Sequence, residues 1–285
     1  MPDTGRAIAA LDPTYPSPRE FGIGAARAFA GALIFSLPML MTMEMWWLGF
    51  YMDPLRMALL LAISLPLLVR LSRYGGLRPT ASIWDDLADS LVAIGVAAFA
   101  SALILWIFGV IGPGTPLREI VGNIALQAFS GSLGAMLAQN QLGSGGAEEE
   151  RERADASYGG EIFLMVIGAL FLSLNVAPTE EMILIGVKMN VWQEIGLVVL
   201  SICVMHAFVY ALEFRGTEQP RPTEGFWSVF ARYTVVGYAV VFLVSLYVLW
   251  TFGRTDGNSI EAILSSAVVL SFPGAIGAAA ARLIL

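Results

Sequence analysis

The sequence predicts an all-α, polytopic membrane protein, and three observations support that fold class. Of its 285 residues, 57% are apolar and only 14% are charged, whereas soluble domains average about 45–50% and about 25%. The mean hydropathy is +0.72. The charges cluster between apolar runs long enough to cross about 30 Å of hydrocarbon. An ordinary soluble domain is therefore excluded, and the lipid bilayer is the expected partner.

Windows of about 19–26 mostly apolar residues predict eight transmembrane helices. If the first two windows, which are closely spaced, formed a single crossing, the number of transmembrane helices would be seven. The eight windows lie near residues 28–50, 54–72, 90–112, 119–139, 162–187, 192–212, 230–253 and 260–285.

The segments outside these windows are polar. The first 25 residues are rich in acids and prolines and lack the basic start and apolar core of a signal peptide. The stretch 139–159 is rich in Gly, Ala and charge, which is typical of a flexible linker. The predicted organisation is a cytoplasmic tail at 1–25, a four-helix membrane unit at 26–140, a cytoplasmic linker at 141–159 and a second four-helix unit at 160–285.

The basic residues predict the orientation, because Lys and Arg are retained on the cytoplasmic side. With both termini inside, twelve basic residues lie on the inner side and four on the outer side. Fifteen of the 16 are arginine, which together with abundant Ala and Gly is typical of a GC-rich bacterial genome. We therefore expect a multi-pass protein of the bacterial cytoplasmic membrane.

An internal repeat relates the two membrane units. Residues 31–52 align with 168–189 at a constant offset of 137, with ten identities in 22 positions. The relation continues from LWIFG (105–109) to LWTFG (249–253) and from FSGSLGA (129–135) to FPGAIGA (272–278), where the offset drifts to 143–144. The sequence therefore predicts two tandem four-helix repeats.

Each repeat has an even number of spans, so the two are expected to lie parallel around an axis along the membrane normal. The last helix of each repeat carries a face of small residues that predicts close helix packing. Its glycines are Gly131, Gly134, Gly274 and Gly277.

A Thr-x-Glu motif recurs in the first helix of each repeat, as Thr42 and Glu44 and as Thr179 and Glu181, with Glu180 added in the second. An acid near the bilayer centre costs about 2.5–3.5 kcal/mol on insertion scales and normally faces a bundle interior or an ion path. Two acids at equivalent positions predict one shared site. The alternative is that both are solvated at the outer interface, beside the aromatic belt.

Helix-breaking residues accompany the motif. Asn175 and Pro178 interrupt the second copy, and PTEE is a fitting helix start. We expect a discontinuous helix there, with free carbonyls that could bind a cation. Pro38 predicts a milder kink in the first copy.

The candidate ligands are oxygen donors, which suit calcium, magnesium, sodium or a proton better than copper or zinc. The predicted ion site or proton relay consists of Glu44, Glu181, Glu180, Asn175, Thr42 and Thr179. If the ion is a metal, Glu44 and Glu181 are its expected carboxylate ligands. His206, in the sixth predicted span, is either a proton relay or a hydrogen-bond donor between helices.

Composition excludes other classes. A net charge of -7 offers no basic field for nucleic acid. One cysteine and one histidine preclude an intrachain disulfide, a cysteine metal site and a bis-histidine haem. Apart from a bound cation, no cofactor is expected.

Glu180-Glu181 followed by a histidine in the next helix weakly resembles the CAAX-type glutamate intramembrane proteases. That resemblance implies a hydrolase using Glu180, Glu181 and His206. The sequence departs from the family pattern, because Ile185 stands where the arginine is required, no phenylalanine precedes His206 at the required spacing and no second histidine exists.

SLNVAPTEEM and the hydropathy layout resemble a family of bacterial integral membrane proteins that has no assigned activity, and that resemblance spans most of the chain. The leading hypothesis is a transporter or channel for a small cation, which favours a protein that is not an enzyme without deciding the question. The alternatives are the intramembrane hydrolase and a membrane scaffold whose linker binds a partner. A homo-oligomer is left open.

Overall fold

The protein is described here by a computed structural model that covers residues 18–75, 82–142, 158–210, 227 and 230–284. Within these residues all regular structure is helical. We number the helices α1 to α10 in chain order. The first half contains α1 (Pro18–Leu40), α2 (Met43–Tyr51), α3 (Pro54–Gly75), α4 (Ile83–Ile107) and α5 (Leu117–Leu142). The second contains α6 (Tyr158–Val176), α7 (Glu180–Lys188), α8 (Val191–Tyr210), α9 (Val236–Thr251, preceded by the π-helical turn Phe230–Val235) and α10 (Ile260–Ile284).

Among the described residues, eight helices are long and apolar enough to cross a membrane, which confirms the predicted number of candidate spans. The spans are Gly22–Leu40, Pro54–Arg73, Ile83–Ile107, Leu117–Ala138, Tyr158–Val176, Val191–Phe208, Phe230–Thr251 and Ile260–Ala281.

The windows predicted at 28–50 and 162–187 are each two helices rather than one. The chain leaves the helical conformation at Thr42 (φ -99°, ψ 116°) and at Thr179 (φ -69°, ψ 141°). A break was expected in the second half, but only a kink at Pro38 in the first. α2 and α7 have nine residues each, about 14 Å of helix, which is too short to cross the hydrocarbon.

The helix bounds of the two halves follow the sequence offset. α2 begins at Met43 and α7 at Glu180, 137 residues later, and α3 and α8 begin at Pro54 and Val191 with the same offset. The breaks therefore occupy matching places in the aligned sequences.

Glycines allow the first and last helices of each half to approach closely. The first and last helices pack extensively on one another and meet backbone to backbone at Gly31 and Gly134, and again at Gly168 and Gly277. A Cβ added at Gly168 would lie 2.0 Å from the Gly277 carbonyl oxygen. Two of the four glycines on the predicted small-residue faces thus allow backbones to touch.

The halves meet mainly through α1 and α6, α5 and α6, α5 and α10, and α3 and α9. Phe35 packs edge-on against Phe171 in this junction, with ring centroids 4.8 Å apart. At one end, the guanidinium of Arg56 donates two hydrogen bonds to the Asp256 carboxylate, at 2.9 and 2.8 Å. An aromatic contact and an ion pair therefore join the halves.

Most of the tail and linker predictions lie outside the described residues. α1 begins at Pro18, inside the segment predicted as a tail, and α6 begins at Tyr158, at the end of the predicted linker. The cytoplasmic assignment of the termini and of these segments stays a prediction.

Candidate functional site

The break between α1 and α2 frees backbone carbonyls, and nearby side chains bind them. The Thr42 hydroxyl donates to the Pro38 carbonyl at 2.5 Å, and the Trp46 indole N–H donates to the Leu40 carbonyl at 2.8 Å. Pro38 itself lies inside α1, two residues before its end. The predicted helix-breaking residue and the predicted threonine thus act together on one helix end.

A further donor comes from α5. The amide nitrogen of Gln127 lies 3.2 Å from the Met39 carbonyl oxygen, to which it donates. Gln127 is fully buried, and its own side-chain oxygen has no hydrogen-bond partner among the described residues. The first break is therefore bound to the last helix of its half through a buried amide.

Different side chains bind the backbone carbonyls at the break between α6 and α7. The Thr179 hydroxyl donates to the Val176 carbonyl at 2.8 Å. Pro178 is buried, and its carbonyl accepts a hydrogen bond from the guanidinium of Arg254, which lies in the loop after α9. A positively charged side chain therefore binds this carbonyl. At the first break the donors are neutral.

Asn175 lies just before the second break, as predicted. Its amide nitrogen donates to the Phe171 carbonyl at 2.7 Å, one turn back in α6. Its side-chain oxygen is buried and has no partner in the described chain.

The three predicted glutamates lie in the first turns of the short helices, where the helix dipole stabilises negative charge. Glu44 is half-buried, and Glu180 and Glu181 are exposed to the surroundings of the protein. None of the three carboxylates forms an ion pair or side-chain hydrogen bond within the described residues. They are therefore accessible acids rather than members of a buried salt bridge.

The structure places the two Thr-x-Glu motifs in separate packing units. α2 packs on α5, and α7 packs on α10, each the last helix of its own half. Within the described ranges, no three Asp, Glu, His or Cys side chains are grouped so that they could hold a metal ion. A single site shared by Glu44 and Glu181 therefore stays a prediction.

His206 has a neighbour in the π-helical turn before α9. A ring nitrogen lies 3.1 Å from the Thr234 hydroxyl, and the Phe230 ring packs edge-on at 5.1 Å between centroids. Thr234 is fully buried. The sequence predicted either a proton relay or a hydrogen bond between helices for His206. These contacts fit the hydrogen bond.

Sequence reasoning missed two groups of buried polar residues. Asn123 and Gln127 lie four residues apart within the predicted span 119–139, and this spacing was a usable signal for one polar face. Asp86 lies outside the predicted span 90–112, but α4 begins earlier and buries it to 3% exposure. Its carboxylate binds Arg73 at 3.1 Å and accepts a hydrogen bond from the Ser72 hydroxyl.

The helix layout agrees with a comparison of the sequence with known families. Residues 24–285 match the model of the family DUF2391, described as "Putative integral membrane protein". The chain belongs to this family. No curated protein and no solved structure matches it. The family match and the eight apolar helices make this a multi-pass membrane protein, and they assign it no activity.

Proposed function

We propose that the protein is a secondary transporter or channel for a small cation in the bacterial cytoplasmic membrane. The observation that carries this proposal is the recurrence of a broken helix. In both halves a membrane helix ends, a Thr-x-Glu motif follows, and a nine-residue helix begins at the matching position. Discontinuous helices of this kind bind ions and substrates in transporters built from repeats.

In this proposal the acids of the two motifs are the ion ligands or proton carriers. Glu44 and Glu181 have the same place in the aligned halves, and neither is neutralised by a described cationic partner. Glu180, Asn175, Thr42 and Thr179 complete or tune the site. The two four-helix units act as parallel repeats, with both termini cytoplasmic and the ion path related to their common axis.

The hydrolase alternative would need Glu181 and His206 in one catalytic site. His206 instead contacts Thr234 and Phe230 near the start of α9, whereas Glu181 lies in the first turn of α7. These contacts favour transport over hydrolysis.

A flux assay in proteoliposomes tests the proposal. Purified protein is reconstituted, and proton, sodium and calcium fluxes are measured for the native chain and for the double variant Glu44→Gln, Glu181→Gln. We expect the double variant to lose flux of the transported ion by about tenfold or more, because an uncharged amide carries no proton and binds cations weakly.

The matched control is the double variant Glu119→Gln, Glu261→Gln. These acids also lie in the first turn of their helices, α5 and α10, but they follow no break. The control should transport at the native rate. Native flux from the Glu44 and Glu181 double variant would contradict the proposal.

A further inference from the structure

A row of buried oxygen atoms follows one face of α5. Asn123, Gln127 and Ser130 are exposed by 4%, 0% and 0%. The two amide oxygens and the serine hydroxyl have no hydrogen-bond partner within the described chain. Buried polar atoms in proteins are almost always satisfied, by protein or by ordered water. The face therefore requires a polar occupant.

The position of the row connects it to the first helix break. Gln127 is anchored there through its hydrogen bond to the Met39 carbonyl. Asn123 lies directly against α2, because its side-chain oxygen is 2.6 Å from where a Cβ on Gly49 would be. Glu44 lies in the first turn of that same short helix. The row thus begins against the short helix that carries Glu44.

The spacing of the oxygens favours water over a directly bound metal ion. Residues i, i+4 and i+7 span about 10 Å along a helix axis. Oxygens that bind one cation at about 2.3–2.6 Å lie within about 5 Å of each other. A water bridges oxygens about 5.5 Å apart with two hydrogen bonds of about 2.8 Å, which matches one helical turn.

An acid also lies toward the other end of the face. α4 packs along α5, where Ala97 is next to Gly131. Asp89 lies two turns nearer the start of α4 than Ala97, and only 4% of this residue is exposed. Asp89 therefore lies about 12 Å beyond Gly131 along α5, in the direction that leads away from α2.

The second half lacks this row. Alignment of FSGSLGA with FPGAIGA places Ser266, Leu270 and Pro273 at the positions of Asn123, Gln127 and Ser130. Leu270 is fully buried and apolar, and proline has no hydroxyl. A continuous polar face on the last helix is thus specific to the first half.

We propose that the transported ion is the proton, and that protons cross the first half along waters held by Asn123, Gln127 and Ser130. The inference rests on the proposed transport function and names its cargo and route. A proton passes from Glu44 into the waters of the row, moves along them by successive hydrogen-bond exchange and leaves the row toward Asp89, which releases it to the solution on the other side. Glu44 takes its next proton from the solution on its own side, and each water is reprotonated by the one before it, so protons are only moved and no other reactant is consumed.

Ser130→Ala is the sharpest test, because among the described residues that hydroxyl has no hydrogen-bond partner to lose. Ser132→Ala is its matched control, since Ser132 is equally buried but donates to the Phe129 carbonyl at 2.7 Å. In proteoliposomes containing a pH-sensitive dye, we expect Ser130→Ala to lower proton flux about tenfold, the effect of losing one hydrogen-bonded link. Ser132→Ala should keep the native rate, and both should unfold at the native temperature.

Gln127→Met adds a second variant of similar length, and it should lower proton flux further because both polar atoms of the side chain are removed. Native proton flux in both variants, with flux lost in the Glu44 and Glu181 double variant, would overturn the route and leave the transport function intact. Sodium or calcium flux without proton flux would overturn the cargo alone. If no ion crosses with the native chain, the transport function itself fails, and this inference fails with it.

Discussion

The two halves of the protein share a backbone path at their helix breaks but differ in the side chains that complete it. In the first half, neutral groups on Thr42, Trp46 and Gln127 bind the freed carbonyls. In the second half, Arg254 reaches in from a loop to bind the Pro178 carbonyl. Equivalent backbone breaks thus do not require equivalent chemistry, because any suitably placed donor can satisfy a carbonyl.

The halves also differ in how closely the short helix approaches the last helix. A Cβ added at Gly122 in α5 would lie 2.0 Å from the Gly49 carbonyl oxygen of α2. In the second half the nearest atom to a Cβ on Gly186 is 3.4 Å away, at Ser266. The residue that corresponds to Gly122 is Ser265, so the second half already accommodates a side chain there. The closer approach in the first half brings α2 against Asn123.

The largest effect that this comparison predicts is on stability. Gly122→Ala should lower the free energy of unfolding by about 3 kcal/mol, the upper end of overpacking costs, because the new methyl group meets backbone that cannot rotate away. Gly186→Ala should leave it unchanged or slightly higher, because alanine favours helix. Thermal unfolding in detergent measures both. Equal destabilisation by the two variants would show that the halves pack alike.

An intermediate effect is expected at the second break. Arg254→Met removes the donor to the Pro178 carbonyl and should lower the free energy of unfolding by about 1.5 kcal/mol. Arg118→Met, at an exposed arginine near the start of α5, is the control and should have little effect. Unfolding in denaturant compares the two variants. If they were equally stable, the arginine would not contribute to holding the break.

The smallest effect concerns the ion pair between the halves. Hydrogen bonding from Arg56 lowers the pKa of Asp256 below its ordinary value. A lowered pKa in the folded state means that the stabilisation is complete above about pH 4, the unfolded value, and is lost as the pH falls through the folded value. Because Asp256 is exposed, Asp256→Asn should lower the Tm by only about 1–2 °C at pH 6.

Melting curves of the native chain and of Asp256→Asn at pH 6 and pH 3 test the direction of this pH dependence. The difference in Tm should shrink at the lower pH, where the native carboxyl is protonated. A difference that grows on acidification would contradict the assigned charge state.

Much of the helical layout could be predicted, because its signals are local. Apolar runs predicted eight spans, and Pro178 with PTEE predicted the start of α7. The first break was predicted only as a kink, since Pro38 lies inside α1 and the chain leaves the helix later, at Thr42. Hydropathy cannot separate two short helices that continue one apolar run.

The buried polar contacts were harder to predict. Asp86 was placed outside the span because charged residues end an apolar window, although Arg73 and Ser72 satisfy its carboxylate within the helix bundle. Gln127 meets Met39 across 88 residues of sequence, and Arg254 meets Pro178 across 76. Such pairs leave no local pattern in a single sequence.

The sequence by itself determined eight runs that are long and apolar enough to cross a membrane, because a run of about 20 apolar residues is stable as a helix in lipid. It also determined the repeated motifs and the glycines of the packing faces. Only the tertiary structure decided which side chain binds each freed carbonyl and which oxygens of α5 have no hydrogen-bond partner in the described part of the chain. These outcomes depend on how each helix is rotated and how closely it approaches its neighbour, and both are set by packing between distant segments.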